Sequence, residues 1–337
     1  MAARTGMGFG WAFALALLAC GSTEREATNA SAATELVPQP ADNPSSPDKV
    51  ALGRLLFWDP ILSGDRDVAC ASCHDPAYAY ADGRALSIGT GGAKTAREAL
   101  TVLDTAWNGR TASDPNPDPD TAPMFWDNRA RSLESQASGP LTGPTEMLGT
   151  NYTATSIFPE LVARLSAIPE YASRFAKVFG ARSITERDIV CAIASFERTL
   201  VTTPSFEAGT MSAAATRGQD TFHRLGCAKC HSGPMLSDYT LHRFTRGGEA
   251  IRTPSLRNVT RTAPYMHDGR AATLDAVFDI YRRVDHAADP SFDGLRAPDR
   301  EERDEILAFL AAASDGDYDQ SVPASVPSGL RVGGRRP

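Results

Sequence analysis

Two cysteine pairs, each followed directly by a histidine, are the residues of this sequence whose chemistry is plainest. They stand at residues 70–74 (CASCH) and 227–231 (CAKCH). The C-x-x-C-H pattern attaches c-type haem: the two thiols bond to the porphyrin, and the adjacent histidine becomes the proximal ligand of the iron. The pattern therefore predicts two covalently bound haem c groups. The predicted attachment residues are Cys70, Cys73 and His74 for the first haem, and Cys227, Cys230 and His231 for the second.

A zinc site, a redox-active cysteine pair and a structural disulfide are the other interpretations of these cysteines. A four-cysteine zinc site needs two pairs separated by a short loop, whereas these pairs begin at positions 70 and 227. A redox-active pair does not require the histidine that follows each pair here. Two cysteines lie outside the motifs, namely Cys20 and Cys191. Cys191 lies beside the apolar stripe of a helical segment and is interpreted as a small buried residue.

The sixth ligand of each iron decides what the protein can do, because a saturated haem carries electrons while an open haem can bind peroxide or oxygen. After His74 the next histidine is His223, just before the second motif. The first domain therefore has no spare histidine, and its nearest methionine candidates are Met124 and Met147. We expect an open first haem. For the second haem, spacing alone leaves several candidates: Met235, His242, Met266, His267, Tyr281 and His286.

Helical periodicity dominates the elements that must position these groups. Ser46 followed by Pro47 is typical of a helix start, and Thr185 with Asp188 forms a capping-box pattern before another helix. No stretch shows sustained alternation of polar and apolar residues. The fold class is therefore predicted to be mainly α. Later helices are expected at 213–225, 273–284 and 299–313.

The 337 residues are enough for two domains with cores of their own. Two haem motifs then suggest two cytochrome c-like domains with one covalent haem each, at 48–205 and 206–314. The polar, proline- and glycine-rich residues 315–337 are expected to form a flexible tail. The haem motif is the only clear internal repeat. A net charge of −7 and a pI of about 5.4 give no support to nucleic-acid binding.

Residues 1–20 have the pattern of a lipoprotein-type signal peptide. Arg4 supplies a basic start, residues 11–19 are an apolar run too short to span a bilayer, and the run ends in Leu-Leu-Ala-Cys. Cys20 would then carry the lipid, and residues 21–47 would be a flexible tether. A plain secretory peptide is the alternative. Either pattern predicts export to the periplasmic side of a bacterial envelope, with membrane contact only through a lipid anchor.

These motifs stand within a longer pattern between about residues 46 and 312. Taken in order, the pattern resembles the bacterial di-haem cytochrome c peroxidase family, which includes the methylamine-utilisation enzyme MauG. The segments that carry the resemblance are 52–57 (LGRLLF), 62–65 (LSGD), 70–76 (CASCHDP), 125–129 (FWDNR), 133–137 (LESQA), 253–259 (TPSLRNV) and 263–269 (APYMHDG).

The resemblance implies a division of labour, in which the N-terminal haem reacts with peroxide and the C-terminal haem transfers electrons. Trp126 matches the family tryptophan between the haems, and Gln136, Pro140 and Glu146 match residues on the distal side of the first haem. A carboxylate can take a proton from peroxide and return it to the leaving oxygen. A neutral amide beside it can orient the peroxide. The alternatives are a core anchor for Trp126 and a surface carboxylate for Glu146.

Two positions depart from the pattern of the family's peroxidases. Many of them cap the first haem with a histidine until the other haem is reduced, and Thr90 stands in its place here. The resting protein should therefore react with peroxide without prior reduction. They also ligate the second iron through a methionine, fourteen residues after the histidine that matches His267, and that position is Tyr281. MauG-like members have tyrosine there, and an anionic oxygen ligand would favour oxidised iron.

The family also binds one calcium ion between the haems. Thr262 and Pro264 match its main-chain oxygen ligands. The family's asparagine ligand is missing, and the same register falls near Glu98. Because a carboxylate suits calcium, we expect a calcium ion with Glu98 as its side-chain ligand.

The sequence thus predicts a di-haem c-type peroxidase that reduces hydrogen peroxide to water, with a small cytochrome c or another redox protein as electron donor. MauG-like oxidation of Trp or Tyr residues on a partner protein is the alternative among enzymes. A di-haem electron carrier is the alternative outside them, and a hidden ligand on the first iron, such as Met124 or Met147, would favour it. The chain could also assemble as a homodimer.

Overall fold

In a computed structural model the protein is described at Met1 and over residues 37–335. The described part is mainly helical, as predicted, and its only sheet is an antiparallel pair of two-residue strands, β1 (Leu241–His242) and β2 (Ile251–Arg252). The α-helices are α1 (Pro47–Trp58), α2 (Cys70–Cys73), α3 (Leu133–Thr142), α4 (Ile157–Ser166), α5 (Pro169–Phe179), α6 (Glu186–Glu197), α7 (Ser205–Ala208), α8 (Ala213–Arg224), α9 (Leu274–Tyr281) and α10 (Arg300–Ala312).

Local capping signals set the helix boundaries. Ser46 caps α1 by accepting a hydrogen bond from Lys49 N, with Pro47 in the first turn. The capping box of Thr185 and Asp188 opens α6, as predicted. The three helices expected in the second half are present as α8, α9 and α10. Among the described residues, none of the helices has the length and apolar character needed to cross a bilayer.

Each half of the chain packs its first long helix across its last one at a glycine. A Cβ on Gly53 of α1 would lie 1.8 Å from the carbonyl oxygen of Ala192 on α6. In the second half, a Cβ on Gly218 of α8 would lie 1.9 Å from the carbonyl oxygen of Glu305 on α10. Only glycine permits backbones to approach this closely. The same helix crossing therefore organises both halves.

Separate apolar clusters fill the two halves. In the first, α1 and α6 bury Leu52, Leu56 and Ile189 together with residues of α4 and α5. In the second, Phe222 of α8 packs against Phe309 of α10, with ring centroids 5.3 Å apart. The second haem motif begins at Cys227, shortly after α8 ends at Arg224, whereas the first begins at Cys70, a loop beyond the end of α1 at Trp58. This order places each motif at the edge of its own core.

The C-terminal segment is not the flexible tail expected for residues 315–337, and that prediction is wrong over the described residues. Val326 is 4% exposed and packs with Trp58 at the end of α1. The Ser328 hydroxyl donates to Asp59 Oδ1 at 2.6 Å, and the carbonyl of Gly333 accepts from Ser72 Oγ at 2.7 Å. The amino-acid composition gave the wrong prediction because this segment is held on the N-terminal half mainly by hydrogen bonds. The hydrophobic content of a segment does not reveal such bonds.

The expected tether at 21–47 is also packed where the structure describes it. Val37 and Asn43 are buried, and the Asn43 amide donates to Glu134 Oε1 at 2.6 Å and to the carbonyl of Cys191 at 3.1 Å. The prediction of a flexible tether is therefore wrong for residues 37–47. Cys191 itself is buried, as expected. The predicted signal peptide and Cys20 lie outside the described residues.

Candidate functional site

The first haem motif borders a cavity of about 510 Å³ in the N-terminal half. α2 carries Cys70 and Cys73, and His74 is its C-cap. The Nδ1 atom of His74 lies 3.0 Å from the carbonyl oxygen of Tyr80. Because a carbonyl oxygen can only accept a hydrogen bond, this contact assigns the proton to Nδ1. It leaves the lone pair on Nε2, the nitrogen that would bind iron.

The second motif repeats this arrangement beside a cavity of about 190 Å³. His231 Nδ1 lies 3.0 Å from the carbonyl oxygen of Leu236. Leu236 and its counterpart Tyr80 both have left-handed backbones, with φ of 50° and 57°. The four motif cysteines form no disulfide, so the disulfide interpretation is not supported and the thiols are free to bond to a porphyrin. The residues at both cavities fit haem c.

Thr90, which stands where a capping histidine would be expected, does not line the first cavity. Its buried hydroxyl donates to Asp67 Oδ1 at 2.6 Å, and Gly91 N donates to Oδ2 of the same carboxylate at 3.0 Å. A Cβ on Gly89 would lie 2.1 Å from the carbonyl oxygen of Thr145. The loop is therefore held against its neighbours by hydrogen bonds and close packing. Among the described residues that line this cavity, His74 is the single histidine.

The two methionines that could hide a sixth ligand both line the first cavity, but each is engaged in packing. Met124 is 2% exposed, and its sulfur accepts a hydrogen bond from Asn108 Nδ2 at 3.3 Å. Met147 belongs to the apolar core around α1 and α6. These contacts favour an open first iron over methionine ligation.

α3 and the turn after it bring the predicted distal residues to the first cavity. Gln136 and Pro140 lie on α3, and Glu146 lies on a π-helical turn that follows. All three line the cavity. Burial raises the pKa of Glu146 above its ordinary value, and the Arg129 guanidinium opposes this rise. The site thus joins a neutral amide to a carboxyl group that holds its proton more tightly than an exposed glutamate does.

Trp126 lines both cavities. Its indole is 7% exposed, and Nε1 donates to the carbonyl oxygen of Glu98 at 3.0 Å. Its own carbonyl accepts from Arg252 N at 2.7 Å. The ring meets that of His267 edge to face, with centroids 6.4 Å apart. Trp126 is therefore a buried anchor, and it is also an aromatic group that borders both cavities.

Glu98 also lines both cavities, and burial with the nearby Asp82 carboxylate raises its pKa to about 9. Among the described residues no lysine or arginine pairs with Glu98, and Asp82 Oδ2 is buried without a hydrogen-bond partner. Thr262 and Pro264 line the second cavity with it. Two carboxyl groups without a basic partner, beside main-chain carbonyls, are oxygen donors that suit a divalent cation.

Tyr281 is the last residue of α9 and lines the second cavity together with His231. Its ring lies 5.5 Å from that of Phe244, measured between centroids. Burial, with two motif cysteines nearby, raises the pKa of the phenol well above its usual range. A phenolate here therefore needs a cation such as ferric iron to balance its charge.

His242 lines the second cavity, but both of its ring nitrogens are engaged. Nε2 lies 3.1 Å from Asp238 Oδ2, and Nδ1 lies 3.1 Å from Asp289 Oδ2. The hydrogen bond with Asp238, supported by other nearby acceptors, raises the pKa of His242 to about 10. A protonated imidazole has no lone pair to offer an iron.

The remaining candidates for the second iron divide by their position. His286 does not line the cavity, and its Nδ1 lies 2.8 Å from a main-chain carbonyl. Met235 is fully buried outside the cavity. Met266, His267 and Tyr281 line it. The structure thus reduces six candidates from the sequence to three.

An internal repeat larger than the haem motif underlies this site, and the sequence analysis missed it. The loops 124–130 and 265–271 each close with a bridge between their first and last residues. The preceding segments 98–104 and 252–258 each end in a left-handed residue, Asp104 at φ 62° and Asn258 at φ 61°. The signal that could have revealed the repeat is the similarity of residues 126–130 (WDNRA) and 267–271 (HDGRA).

The repeated segments dock on each other reciprocally. Glu98 N donates to the carbonyl of His267 at 3.0 Å, and Arg252 N donates to the carbonyl of Trp126 at 2.7 Å. The two left-handed residues also meet, since Asn258 Nδ2 donates to Asp104 Oδ2 at 3.0 Å. The wall between the cavities is therefore built from equivalent residues of the two halves.

Comparisons with known proteins agree with this architecture. A family model described as di-haem cytochrome c peroxidase, CCP_MauG, matches residues 47–212. The chain is 36% identical over 307 residues to the methylamine utilization protein MauG of Methylorubrum extorquens, covering 82% of this chain and 81% of that protein. The chain belongs to the di-haem cytochrome c peroxidase family.

Other members bear the names of peroxidases. Cytochrome c551 peroxidase of Nitrosomonas europaea is 30% identical over 319 residues, covering 86% of this chain and 87% of that protein.

The crystal structure of a MauG-like protein associated with microbial copper homeostasis matches with a TM-score of 0.67 and 30% identity, covering 83% of this chain and 93% of that one. Membership implies haem c cofactors and a peroxidase-type oxidoreductase.

Proposed function

We propose that the chain reduces hydrogen peroxide to water at its first haem site, with electrons from a small cytochrome c or another redox protein. The observation that supports this most is the lining of the first cavity, which joins Gln136 and Glu146 to His74 and, within the described chain, holds no second histidine. When bound, haem c supplies the iron that takes up peroxide and its oxidising equivalents.

Glu146 moves the proton. Its carboxylate takes a proton from one peroxide oxygen and returns it to the leaving oxygen, so one group serves as base and then as acid. Burial raises its pKa, which brings the carboxyl group closer to the value at which it can do both. Gln136 orients the peroxide with an uncharged amide. Pro140 adds an apolar wall and has no N–H that could compete for the peroxide.

Trp126 provides an aromatic connection between the two cavities, both of which it lines. Its Nε1–H donates to a carbonyl oxygen, a group that cannot take the proton, so the indole keeps it when the ring gives up an electron. With haem bound, Tyr281 could supply an anionic oxygen ligand to the second iron, which would favour the oxidised state. We therefore propose that the two haem sites share the oxidising equivalents taken from peroxide.

A calcium ion between the cavities is part of the proposal. Glu98 would supply its side-chain oxygen, and Thr262 and Pro264 would supply main-chain oxygens. Asp82 Oδ2, which has no hydrogen-bond partner in the described part of the chain, supports a cation beside Glu98. The ion would balance the charge of Glu98, whose ionisation is disfavoured by burial and by the nearby Asp82 carboxylate.

Oxidation of Trp or Tyr residues on a partner protein is a second candidate function, favoured by Tyr281 at the second cavity as in MauG-like members. We place the protein on the periplasmic side of a bacterial envelope, anchored through lipid at Cys20, on the strength of its N-terminal sequence pattern. Assembly as a homodimer is a separate hypothesis for light scattering to test. The electron-carrier alternative is disfavoured by the packing of Met124 and Met147.

Electron paramagnetic resonance and optical spectra of the oxidised protein test the peroxidase proposal, with peroxide then added in the absence of reductant. A high-spin signal beside a low-spin one, and rapid spectral change on mixing, are expected. Two low-spin signals that do not change on addition of peroxide, either before or after half-reduction, would contradict the peroxidase proposal. Tyr281→Phe should change the low-spin signal, while the control Tyr265→Phe, which also lines the second cavity, should not. Reduced cytochrome c as donor distinguishes peroxide reduction from oxidation of a partner protein.

A further inference from the structure

Four arginines are buried in the described part of the chain, and three of them face a carboxylate. The pairs are Arg164 with Glu160 at 2.8 Å, Arg198 with Glu134 at 2.7 Å and Arg257 with Asp104 at 3.2 Å. Arg252 is the fourth. It is 5% exposed and forms no ion pair with any described residue.

The contacts of Arg252 leave its charge unbalanced. Nε donates to the carbonyl of Phe125 at 2.7 Å, Nη1 lies 3.5 Å from the carbonyl of Pro123, and the guanidinium stands over the Tyr239 ring at 5.6 Å. All of these partners are neutral, whereas a guanidinium has five N–H donors and a full positive charge. Burial lowers the pKa of Arg252 to about 10, although the Tyr239 hydroxyl and the Asp127 carboxylate, which lies beyond ion-pair distance, oppose this decrease. A buried cation without a directly bound anion is disfavoured by the desolvation of its charge.

Arg252 stands where an anion could reach it, because it lines both cavities. Its side-chain acceptors belong to the loop of the N-terminal half, although Arg252 itself lies on β2 of the C-terminal half. The guanidinium therefore reaches across the interface toward the first cavity. Its equivalent in the repeat is Glu98, an acid. Of these two equivalent positions in the repeat, one therefore carries a basic residue and the other an acidic residue.

We infer that Arg252 binds a propionate carboxylate of the first haem. Haem c carries two propionates, and a planar guanidinium matches a carboxylate through paired N–H···O bonds. The ion pair would balance Arg252 and would stabilise the reduced iron by placing a positive charge beside it. The inference rests on haem attachment, which membership of the family implies. It is independent of peroxide turnover, so the peroxidase proposal can fail while this one holds.

The test compares Arg252→Gln with Arg164→Gln in the full-length protein with both haems attached, as checked by the haem content per chain. Arg164 is equally buried and also donates to main-chain carbonyls, but it lines neither cavity. The measurements are the midpoint potential of each haem and the propionate bending bands in resonance Raman spectra. Arg252→Gln should lower the first-haem potential and shift its propionate band, while Arg164→Gln changes neither.

Arg252→Lys provides a second variant should the glutamine variant fail to fold. It keeps the charge but loses the planar fork, so the first-haem potential should stay close to that of the parent while the propionate band shifts. Unchanged potentials and unchanged propionate bands in both variants would overturn the inference. A shift confined to the second haem would overturn the assignment to the first.

Discussion

The rings of Trp126 and His267 meet edge to face across the domain interface, with their planes at 71°. The two residues hold equivalent positions in the repeated loops 124–130 and 265–271. They differ in reach, because Trp126 lines both cavities whereas His267 lines the second. His267 Nδ1 is buried without a hydrogen-bond partner in the described chain. The ring contact therefore links the two halves of the protein, and Trp126 is the partner that borders both cavities.

Replacing this tryptophan should slow electron exchange between the two haem sites. Trp126→Phe keeps an apolar ring but loses the hydrogen bond to the Glu98 carbonyl, which is 3.0 Å long. We expect a decrease of about ten- to a hundredfold, equivalent to about 1.4–2.8 kcal/mol in the barrier. Absorbance changes after rapid reduction of one haem report the rate.

The matched control for this prediction is Trp107→Phe. Trp107 lies on the N-terminal half with the Arg110 guanidinium 4.6 Å from its ring, and it lines neither cavity. Its replacement should leave the exchange rate unchanged. Equal rates in the parent protein and Trp126→Phe would remove the indole from the electron path.

Glu146→Gln should slow the reaction with peroxide by about 10²- to 10⁴-fold, the usual contribution of a positioned acid–base group. Because the unprotonated carboxylate accepts the proton, the parent rate should fall as pH falls through a pKa above the ordinary value of 4.5. The variant should lose that pH dependence. Stopped-flow mixing with peroxide across the pH range measures both effects.

A glutamate away from the cavities serves as the control for Glu146. Glu160→Gln changes the same functional group on α4 and should leave the peroxide rate and its pH profile intact. If Glu146→Gln kept the parent's pH profile, another group would have to carry the proton.

Glu134→Gln should destabilise the N-terminal half by about 3–5 kcal/mol, because it leaves a buried cation without its partner. Glu134 binds Arg198 through two hydrogen bonds of 2.7 and 3.0 Å. Burial opposes its ionisation, but Arg198 and Asn43 together hold its pKa below the ordinary value. A lowered pKa means that this stabilisation is present above about pH 4.5 and is lost as pH falls through the folded-state pKa.

Denaturant unfolding at neutral and acidic pH measures this effect. The variant should be less stable than the parent at pH 7. At low pH its stability should approach that of the parent, because Glu134 is then protonated and as uncharged as the glutamine that replaces it. Glu170→Gln, which breaks the exposed pair with Arg174, should change the free energy of unfolding little. A similar loss in both variants would argue against a special role of the buried pair.

Glu98→Gln should abolish any stabilisation by calcium. If Glu98 is the side-chain ligand, a chelator should lower the melting temperature of the parent protein, and added calcium should restore it. The variant should melt at the same temperature with and without the chelator. Glu249→Gln, a surface residue paired with Arg97, should respond like the parent. Calcium dependence that survives in Glu98→Gln would move the ligand elsewhere.

Local sequence signals predicted the framework well. Ser46 with Pro47, and Thr185 with Asp188, mark helix starts because capping depends on residues within one turn. The haem motifs are equally local, since each attachment set lies within five consecutive residues. Such local signals can be recognised in the sequence without knowledge of the fold.

The wall between the cavities could not be predicted in the same way. Arg252 and Phe125, which share a hydrogen bond, are 127 positions apart in the chain. Whether a buried arginine has a carboxylate beside it depends on contacts of this kind, which neither spacing nor composition records. The pairing of Trp126 with His267 was hidden for another reason. Their side chains differ, although the surrounding residues and backbone turns repeat.

The docking of the last residues on the first domain sets an order of events in biosynthesis. Gly333 accepts a hydrogen bond from Ser72, between the first two haem cysteines, and Arg335 pairs with Asp67, which holds the Thr90 loop. These contacts cannot form until residues 333–335 have been made. The closing contacts of the first haem motif are therefore made by residues that are synthesised long after its cysteines.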